Sequence, residues 1–492
     1  MEQILIELKN ITIEYLDKEI LIIERLAVHQ FDRIGIVGKN GVGKSTLLKV
    51  LQGILQPTKG NVQRLVESGY FEQIAPPANQ PLDSKIASQL HVQEQSDKRS
   101  GGEETRVKLA QLFSTYYEAL IIDEPTTHLD SEGIQFFLDQ MHHYYGALVL
   151  VSHNRKVLNE LVTTIWEIAD GKVRIYPGNY DQYSEQKQHE KTVQMQAHEQ
   201  YIKEKNRLER AVQEKFAQAE KVTKAGKMSK KEANSKANRM FETKSKGTSQ
   251  KSMQRAAKAM ETRLQQLHAV EAVEEERPII FRQSKTSQLH NKFPIMADRF
   301  TLKVDKACSL LNEVSFQVPL NKTIAITGNN GVGKSTLLQA IYNKNPELTL
   351  SPKIKIGYFQ QMGYQFQTNE TVLQFVMNRS DQSEVFLRTV LHSMQFIGTD
   401  LDRNVKTLSG GEAIRLQLCQ LFLGEYNVLL LDEPTNFLDI QALASLEKFI
   451  NGYQGTIFYI SHDQQFIHHT ADFIWHINHK KITEYENTSP LT

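Results

Sequence analysis

The feature that most constrains the fold of this 492-residue chain is a glycine-rich octapeptide that occurs twice. It reads GKNGVGKS from Gly38 and GNNGVGKS from Gly328, and each copy follows a short apolar run and precedes a segment of helical pattern. A strand, a tight loop and a helix in this order surround phosphate oxygens with backbone N–H groups and a helix N-terminus. Each copy therefore predicts a phosphate-binding loop in an α/β fold.

Each loop carries a lysine and a serine whose chemistry suits a nucleotide and a metal ion. We expect Lys44 and Lys334 to reach the β- and γ-phosphates, and the hydroxyls of Ser45 and Ser335 to bind Mg²⁺. The other loop residues predicted to contact ATP are Gly38, Asn40, Gly41, Gly43 and Thr46 in the first copy, and Gly328, Asn330, Gly331, Gly333 and Thr336 in the second.

Four polar segments follow the first loop at the ends of apolar runs or before a helical one. They are GYFEQ, ending in Gln73; SGGE, containing Ser100 and Gly102; ALIIDE, ending in Asp123 and Glu124; and LVLVSH, ending in His153. Ligands of open α/β sheets sit at the carboxyl ends of strands, so these residues are predicted to line one site. We expect Asp123 to bind Mg²⁺ through water and Gln73 to touch Mg²⁺ or the attacking water. Glu124 would activate or position the attacking water, and His153 would contact the γ-phosphate.

The second half of the chain repeats these segments in the same order. The interval from the SGGE serine to the aspartate is 23 positions in both halves, and that from the glutamate to the histidine is 29. Matched order, spacing and chemistry predict a second domain of the same fold with its own site. Its residues, with the roles of their first-half counterparts, are Gln361, Ser409, Gly411, Asp432, Glu433 and His462.

Together these segments resemble the nucleotide-binding domain of the ABC ATPase superfamily. The SGGE segments look like its signature motif, which usually begins with leucine; Arg99 takes that position in the first copy. Domains of this superfamily work as head-to-tail pairs. The resemblance therefore implies that Lys44 faces Ser409 across ATP, that Lys334 faces Ser100, and that ATP closes the pair.

The resemblance also implies an aromatic residue that stacks on adenine ahead of each loop. Tyr15 is the candidate in the first domain, and the alternative is a core tyrosine at a strand end. Val304 occupies the equivalent position in the second domain, with Phe300 as a weak substitute. The two sites are therefore expected to differ in how they bind adenine.

Between the repeats, residues 184–276 contain no proline and only two glycines. Residues 184–264 hold 20 Lys and Arg against 10 Asp and Glu, although the whole chain has a net charge of +1. Apolar residues recur at helical spacing on both sides of this segment. They predict two helices of about 60 Å packed as an antiparallel hairpin. The charge favours a polyanion such as RNA, and the alternative is a solvated helix face.

The predicted tip of this hairpin spans about residues 224–252. It contains Arg239, Met240 and Phe241, which are candidates for contact with the partner. The alternative for Met240 and Phe241 is that they only close the hairpin.

Composition indicates a cytoplasmic protein. The N-terminal sequence MEQILIELKN lacks the pattern of a secretory signal, and no apolar run reaches the length of a membrane span. The two cysteines, Cys308 and Cys419, provide neither a disulfide framework nor a metal-ligand cluster.

Two such ATPase domains joined by a helical linker, without a membrane part, resemble the ABC-F family, which acts on ribosomes. The predicted ATPase domains span 1–183 and 277–492, and the linker 184–276. The interval from the GYFEQ segment to SGGE is 27 positions, against 48 in the second half, and 30 residues follow the last histidine of the motifs. With the long linker and the segment FRQSKTSQLHNKFP, these features look like antibiotic-resistance members, the Msr type more than the Vga type.

The resemblance implies a monomeric ATPase that uses ATP and Mg²⁺ and binds the exit site of the bacterial ribosome, near 23S rRNA and the P-site tRNA. There it would displace a macrolide or streptogramin B. One alternative is a housekeeping translation or ribosome-assembly ATPase of the same fold. The others are a DNA-repair ABC ATPase and the ATPase of an efflux system with a separate membrane partner.

Overall fold

The computed structural model describes residues 3–15, 18–72, 86, 88, 90, 101–127, 129–225, 255–256, 258–267, 270, 279–281, 289–305, 308–360 and 366–487. The chain forms two compact units. One consists of Met1–Tyr183 with Pro278–Thr492, and the other of Ser184–Arg277. The first unit contains both repeats of the sequence, whereas the limits of the individual ATPase domains stay a prediction.

The first repeat builds one six-stranded sheet and one three-stranded sheet. Its strands are β1 (Ile4–Tyr15), β2 (Lys18–His29), β3 (Arg33–Val37), β4 (Lys59–Arg64), β5 (Ser68–Phe71), β6 (Ala119–Asp123), β7 (Ala147–Val151), β8 (Thr164–Ala169) and β9 (Lys172–Pro177). The large sheet has the order β5-β6-β7-β3-β8-β9, with only β9 antiparallel to its neighbour, and the small sheet is β2-β1-β4. Its helices are Lys44–Gln52, Gly101–Phe113, Ser131–His142 and Arg155–Leu161.

The second repeat builds the same two sheets. Its strands are β10 (Ile295–Asp305), β11 (Cys308–Val318), β12 (Thr323–Thr327), β13 (Leu348–Leu350), β14 (Ile356–Phe359), β15 (Val428–Asp432), β16 (Thr456–Ile460), β17 (Phe473–Asn478) and β18 (Lys481–Glu486). The sheet orders are β14-β15-β16-β12-β17-β18 and β11-β10-β13. Its helices are Lys334–Tyr342, Val372–Met377, Glu384–Ser393, Gly410–Leu423, Ile440–Gly452 and Gln464–Thr470, with 3₁₀ turns at Gly398–Asp402 and Val405–Thr407.

The central strands are buried on both faces, which explains their unbroken apolar sequences. Every residue of β6 (ALIID), β7 (ALVLV), β15 (VLLLD) and β16 (TIFYI) is buried. Parallel strands covered by helices on both sides need such runs, because neither face meets water. Each large sheet therefore delivers the polar residues that follow these strands to one edge. The predicted α/β architecture of two tandem domains is confirmed.

The second compact unit contains the predicted linker. Its first arm belongs to the 46-residue helix Tyr180–Ala225, which is about 70 Å long at 1.5 Å per residue. Residues 255–256 and 258–266 are helical on the returning side. His198 Nδ1 lies 2.7 Å from the Val270 carbonyl oxygen, and the Arg263 guanidinium lies 3.7 Å from Glu204. The contact partners move forward along the first arm, from 198 to 204, while they move backward along the second, from 270 to 263. The two arms therefore run antiparallel, as predicted.

The apolar stripe of the first arm is only partly covered. Leu208 is buried, whereas Phe216 is 43% exposed. The predicted tip residues Arg239, Met240 and Phe241 lie outside the described residues. No helix in the described ranges combines the length and apolar content that crossing a membrane requires.

A partly buried ion pair joins the two repeats within the first unit. Arg155 Nη1 donates to Glu447 Oε1 over 3.0 Å, and the two side chains are only 12% and 15% exposed. Arg155 begins a helix of the first repeat, and Glu447 lies in Ile440–Gly452 of the second. Ile440 also packs against the apolar cluster of Val37, Leu158, Val162, Ile165 and Tyr176. Charge and apolar contact therefore both stabilise the junction.

We predict that Arg155→Ala lowers the free energy of unfolding by about 2–4 kcal/mol, because it leaves a buried carboxylate without its guanidinium partner. Urea unfolding of the nucleotide-free protein measures the change. The matched control is Lys355→Ala, which removes an equally short pair with Glu425 (2.8 Å) whose side chains are 51% and 52% exposed. The control should lose much less stability, because an exposed ion pair gains little over its separately hydrated charges. Equal losses in both variants would show that burial adds nothing to the first pair.

Candidate functional site: paired nucleotide sites between the two repeats

The first glycine of each phosphate loop lies where no side chain fits. Gly38 has φ 154° and Gly328 has φ 135°. A Cβ atom at Gly38 would lie 2.6 Å from the Ile168 carbonyl oxygen, and one at Gly328 would lie 2.5 Å from that of Ile477. Each loop therefore packs its backbone directly against β8 or the equivalent β17. This close approach fixes where the loop's N–H groups point.

The loop lysines are buried and folded back onto their own loops. Lys44 Nζ donates to the Gly38 carbonyl at 2.8 Å, and Lys334 Nζ donates to those of Gly328 at 2.7 Å and Asn329 at 2.9 Å. Burial lowers the pKa of both ammonium groups, while nearby carboxylates raise it. A desolvated ammonium held by neutral carbonyls would gain a stronger partner in a phosphate anion. The geometry of both lysines fits this role.

The residues predicted to hold Mg²⁺ meet in both halves. Ser335 Oγ donates to Asp432 Oδ1 over 2.9 Å, and Ser45 likewise bonds to Asp123. Burial raises the pKa of Asp432 to about 6 and also raises that of Asp123. A bound cation would stabilise the charged form of both carboxylates. Hydroxyl and carboxylate oxygens suit Mg²⁺. Among the described residues, no three His, Cys, Asp or Glu side chains could hold a metal alone. Phosphate oxygens would therefore have to complete the set.

The predicted catalytic glutamates share an unusual backbone conformation. Glu124 has φ 51° and Glu433 has φ 48°, in the left-handed region that costs a non-glycine residue about 1–3 kcal/mol. Glu124 Oε2 accepts a bond from the His153 backbone N–H over 3.3 Å. Glu433 Oε2 accepts from Asn436 Nδ2 over 2.5 Å.

Burial keeps the histidines beside these glutamates neutral. It raises the pKa of Glu124 to about 8 and lowers that of His153 to about 3 and that of His462 to about 4. Both imidazoles are therefore uncharged at neutral pH. Because the imidazole is uncharged, the 3.4 Å contact between His153 Nε2 and Glu124 Oε1 is not an ion pair. Within the described part of the chain, His462 Nε2 is buried without a hydrogen-bond partner. Such an atom is ready to bond to a ligand.

The phosphate loops reach across to the opposite repeat. The Asn40 N–H donates to Asp439 Oδ2 over 2.9 Å, and the Asn330 N–H donates to Asp130 Oδ2 over 3.3 Å. Asn40 Nδ2 also donates to the Phe437 carbonyl over 3.0 Å. Each loop is therefore anchored by the turn that begins a helix of the other half. This is the head-to-tail arrangement expected from the sequence.

A cavity of about 660 Å³ lies along this contact. Ser409, which caps the helix Gly410–Leu423 and bonds reciprocally with Glu412, shares the cavity with Lys44. The structure thus brings these two residues to one site. Ser100, the predicted partner of Lys334, lies outside the described residues. The other predicted residues that line the cavity are Asn40, Gly41, Gly43, Ser45, Thr46, Asp123, Glu124, His153, Gly411, Glu433 and His462.

Some predicted site residues are described only in part. Gln73 and Gln361 lie outside the described residues, and so do the side chains of Tyr15 and Val304, so adenine stacking stays a prediction. Gly102 lies in the helix Gly101–Phe113. Thr336 lies in the helix that follows the second loop.

Sequence reasoning missed the side chains that hold Asp130 and Asp439, the two aspartates that contact the phosphate loop of the opposite repeat. Arg106 Nη2 donates to both oxygens of Asp130, at 2.8 and 2.7 Å. At the other site, Gln395 Nε2 donates to Asp439 Oδ1 over 2.7 Å and Gln395 Oε1 accepts from Arg415 Nη1 over 2.5 Å. The repeat contained a signal for the arginines, since each lies six positions after an SGGE serine. It contained none for Gln395.

Comparison with known proteins agrees with this geometry. A family model described as "ABC transporter" matches residues 24–80 and 311–436. A solved structure titled "Model of ribosome-bound archaeal Pelota and ABCE1" superposes with a TM-score of 0.63 at 18% identity, covering 97% of this chain and 79% of that one, and supports the fold alone. The fold and the crossed sites define a tandem ABC ATPase, whose domains bind and hydrolyse ATP.

Two full-length relatives narrow the assignment. The chain is 39% identical to "Erythromycin resistance ATP-binding protein MsrA" of Staphylococcus epidermidis, over 98% of this chain and 99% of that protein. It is 30% identical to "Ribosome protection protein VmlR" of Bacillus subtilis (strain 168), over 99% of this chain and 89% of that protein. The chain belongs to the ABC-F family of ATPases.

We predict that a Ser45→Ala, Ser335→Ala double variant needs at least about tenfold more Mg²⁺ for half-maximal ATPase activity, because each site loses one oxygen ligand. The measurement is a Mg²⁺ titration at fixed ATP. Activity should recover at saturating Mg²⁺, which separates weaker metal binding from a damaged fold. An unchanged titration midpoint would remove both serines from the metal site.

Proposed function

We propose that this chain is an ATP-dependent ribosome protection protein that dislodges large-subunit antibiotics, namely macrolides and streptogramin B. The observation that carries the proposal is the near full-length similarity to a protein named for erythromycin resistance. The relative named a ribosome protection protein supplies a second, independent support. Both similarities extend through the linker as well as through the ATPase domains, because they cover almost the whole chain.

The proposed partner is the bacterial ribosome, at the exit-site region of 23S rRNA beside the P-site tRNA. The excess of basic residues in residues 184–264 supports an RNA partner, since Lys and Arg neutralise phosphates and release counterions. The antiparallel helical arms support a reaching element, because their length is large relative to a small domain. In this proposal the protein is cytoplasmic, acts as a monomer, and consists of domains 1–183, 184–276 and 277–492.

The residues of the two sites have complementary roles in the proposed cycle. Lys44 and Lys334 neutralise charge on the β- and γ-phosphates. Glu124 and Glu433 position the attacking water, and the neutral His153 and His462 bond to the γ-phosphate. Ser45, Asp123 and Gln73 would hold Mg²⁺ at one site, and Ser335, Asp432 and Gln361 would hold it at the other. When bound, the metal would supply positive charge that offsets the charge developing on the phosphates.

Closure and opening of the domain pair would link this chemistry to the ribosome. The crossed contacts favour the closed pair when nucleotide fills the sites, and hydrolysis weakens that preference. We propose that the closed pair stays on the ribosome, that the hairpin tip reaches toward the peptidyl-transferase centre, and that opening releases the protein.

Drug release from purified ribosomes tests the proposed function. Ribosomes loaded with a labelled macrolide, lincosamide or streptogramin B are mixed with protein and ATP, and the drug that remains bound is measured by filtration. We expect at least about a fivefold loss of bound macrolide and streptogramin B while the closed protein occupies the ribosome, because a state that binds the drug less well shifts the equilibrium toward free drug. Retention of all three drugs would favour a housekeeping translation ATPase instead.

The tip can be tested in the same assay. We expect an Arg239→Ala, Met240→Ala, Phe241→Ala variant to keep its ATPase activity and ribosome binding but to lose drug release by about tenfold, a typical cost of truncating contact residues. The matched control is Lys203→Ala, whose side chain is 76% exposed on the first arm. Full release by the tip variant would mean that these residues only close the hairpin.

The ATPase cycle can be stopped with ATP bound. A Glu124→Gln, Glu433→Gln variant should hydrolyse ATP at least about 100-fold more slowly, since the amide cannot accept a proton. It should still bind ATP and therefore co-sediment with ribosomes. The single variants serve as controls for each site. If the double variant binds ATP but sediments free of ribosomes, closure does not hold the protein there.

A further inference from the structure

Gln395 occupies a backbone conformation that its side chain does not favour. It has φ 67° and follows the helix Glu384–Ser393, at a position where helices usually place glycine. It lies in the interval between GYFQQ and SGGE that is longer in the second half of the chain than in the first. The backbone preference therefore does not favour glutamine here, and the contacts of its side chain decide whether it has a role.

The Gln395 side chain joins a buried arginine to a buried aspartate. Its carbonyl oxygen accepts from Arg415 Nη1 over 2.5 Å, and its amide donates to Asp439 Oδ1 over 2.7 Å. Arg415 is 6% exposed and Asp439 is 1% exposed. The second oxygen of Asp439 accepts from the Asn40 N–H over 2.9 Å. A continuous chain of hydrogen bonds thus runs from the second repeat to the phosphate loop of the first.

At the other site, a charged side chain takes the place of Gln395. Arg106, which matches Arg415 in the repeat, contacts both oxygens of Asp130 directly. Asp439 instead meets a neutral amide and takes part in no ion pair with a residue of the described ranges. Its full charge therefore faces Lys44 and His153, the groups on which it acts electrostatically. In both sites an aspartate accepts a bond from the opposite phosphate loop, but an arginine holds that aspartate in one site and a glutamine holds it in the other.

We propose that Gln395 is a positioning residue for ATP hydrolysis at the site built on Lys44. By holding Asp439 against the Asn40 N–H, it sets the first phosphate loop against the second repeat. It does not touch the nucleotide groups itself. Arg106 has the corresponding place at the site built on Lys334. The inference concerns ATP hydrolysis alone and needs no ribosome, so its failure would leave the proposed function untouched.

Single-turnover hydrolysis of labelled ATP by nucleotide-free protein tests this assignment. Gln395→Gly is made in a Glu433→Gln background, where the Lys44 site hydrolyses, and in a Glu124→Gln background, where the Lys334 site does. We expect the rate to fall about tenfold at the Lys44 site, the cost of a charge-assisted hydrogen bond, and less than about twofold at the Lys334 site. The melting temperature should fall by no more than a few degrees, because glycine suits this φ and so offsets part of the cost of the lost bonds to Arg415 and Asp439.

Two further variants separate positioning from folding. Gln395→Glu keeps the size of the side chain and its bond from Arg415, but its carboxylate repels Asp439 instead of donating to it. It should therefore repeat the selective loss even if the glycine variant unfolds. Lys344→Gly is the backbone control, since the exposed Lys344 has φ 53° and lies away from the cavity lining; its rates should change less than about twofold. Equal losses at both sites, or normal rates in Gln395→Glu, would overturn the proposal.

Discussion

The paired sites depend on one aspartate in each repeat that serves two halves of the molecule. Asp130 and Asp439 each cap their own helix, accepting from Gly133 N–H at 3.0 Å and Ala442 N–H at 2.8 Å, and each also accepts from the opposite phosphate loop. Burial alone would raise their pKa values, but these amide bonds, together with Arg106 at Asp130 and Gln395 at Asp439, lower them overall. Both carboxylates therefore stay charged. Removing one would disturb a helix start, a phosphate loop and the junction of the repeats together.

Around these charged aspartates, the reacting groups are held in a desolvated setting. The neutral histidines and the raised pKa of Glu124 mean that the lysines supply most of the positive charge that meets a phosphate. In a dry cavity such charges act more strongly than in water. Glu124 and Glu433 share the same left-handed backbone conformation, so the chain presents the two carboxylates in the same way. The charges and the backbone geometry of each nucleotide site thus both favour ATP hydrolysis there.

Much of this was predictable because the deciding signals are local or repeated. The apolar runs of β6 and β15, the glycine-rich loops and the matched intervals determine the sheets, the loops and the edge at which polar residues gather. Contacts between distant residues were not predictable. The Arg155–Glu447 pair and the bridge made by Gln395 join single side chains that are far apart in sequence, and no periodicity marks them. The shifted pKa values follow from burial, which only the folded packing reveals.

The joining of both repeats in one chain has a consequence for dilution. Separate ABC domains would have to meet by collision, so their pairing would weaken as their concentration fell. Here the crossed contacts of Asn40 and Asn330 form within a single molecule, and residues 184–276 keep the halves at a fixed effective concentration. Specific ATPase activity should therefore not depend on copy number. In a cell that makes fewer copies of this protein, the total ATPase activity would fall in proportion to the number of copies. It would not fall more steeply, as it would for domains that must pair by collision.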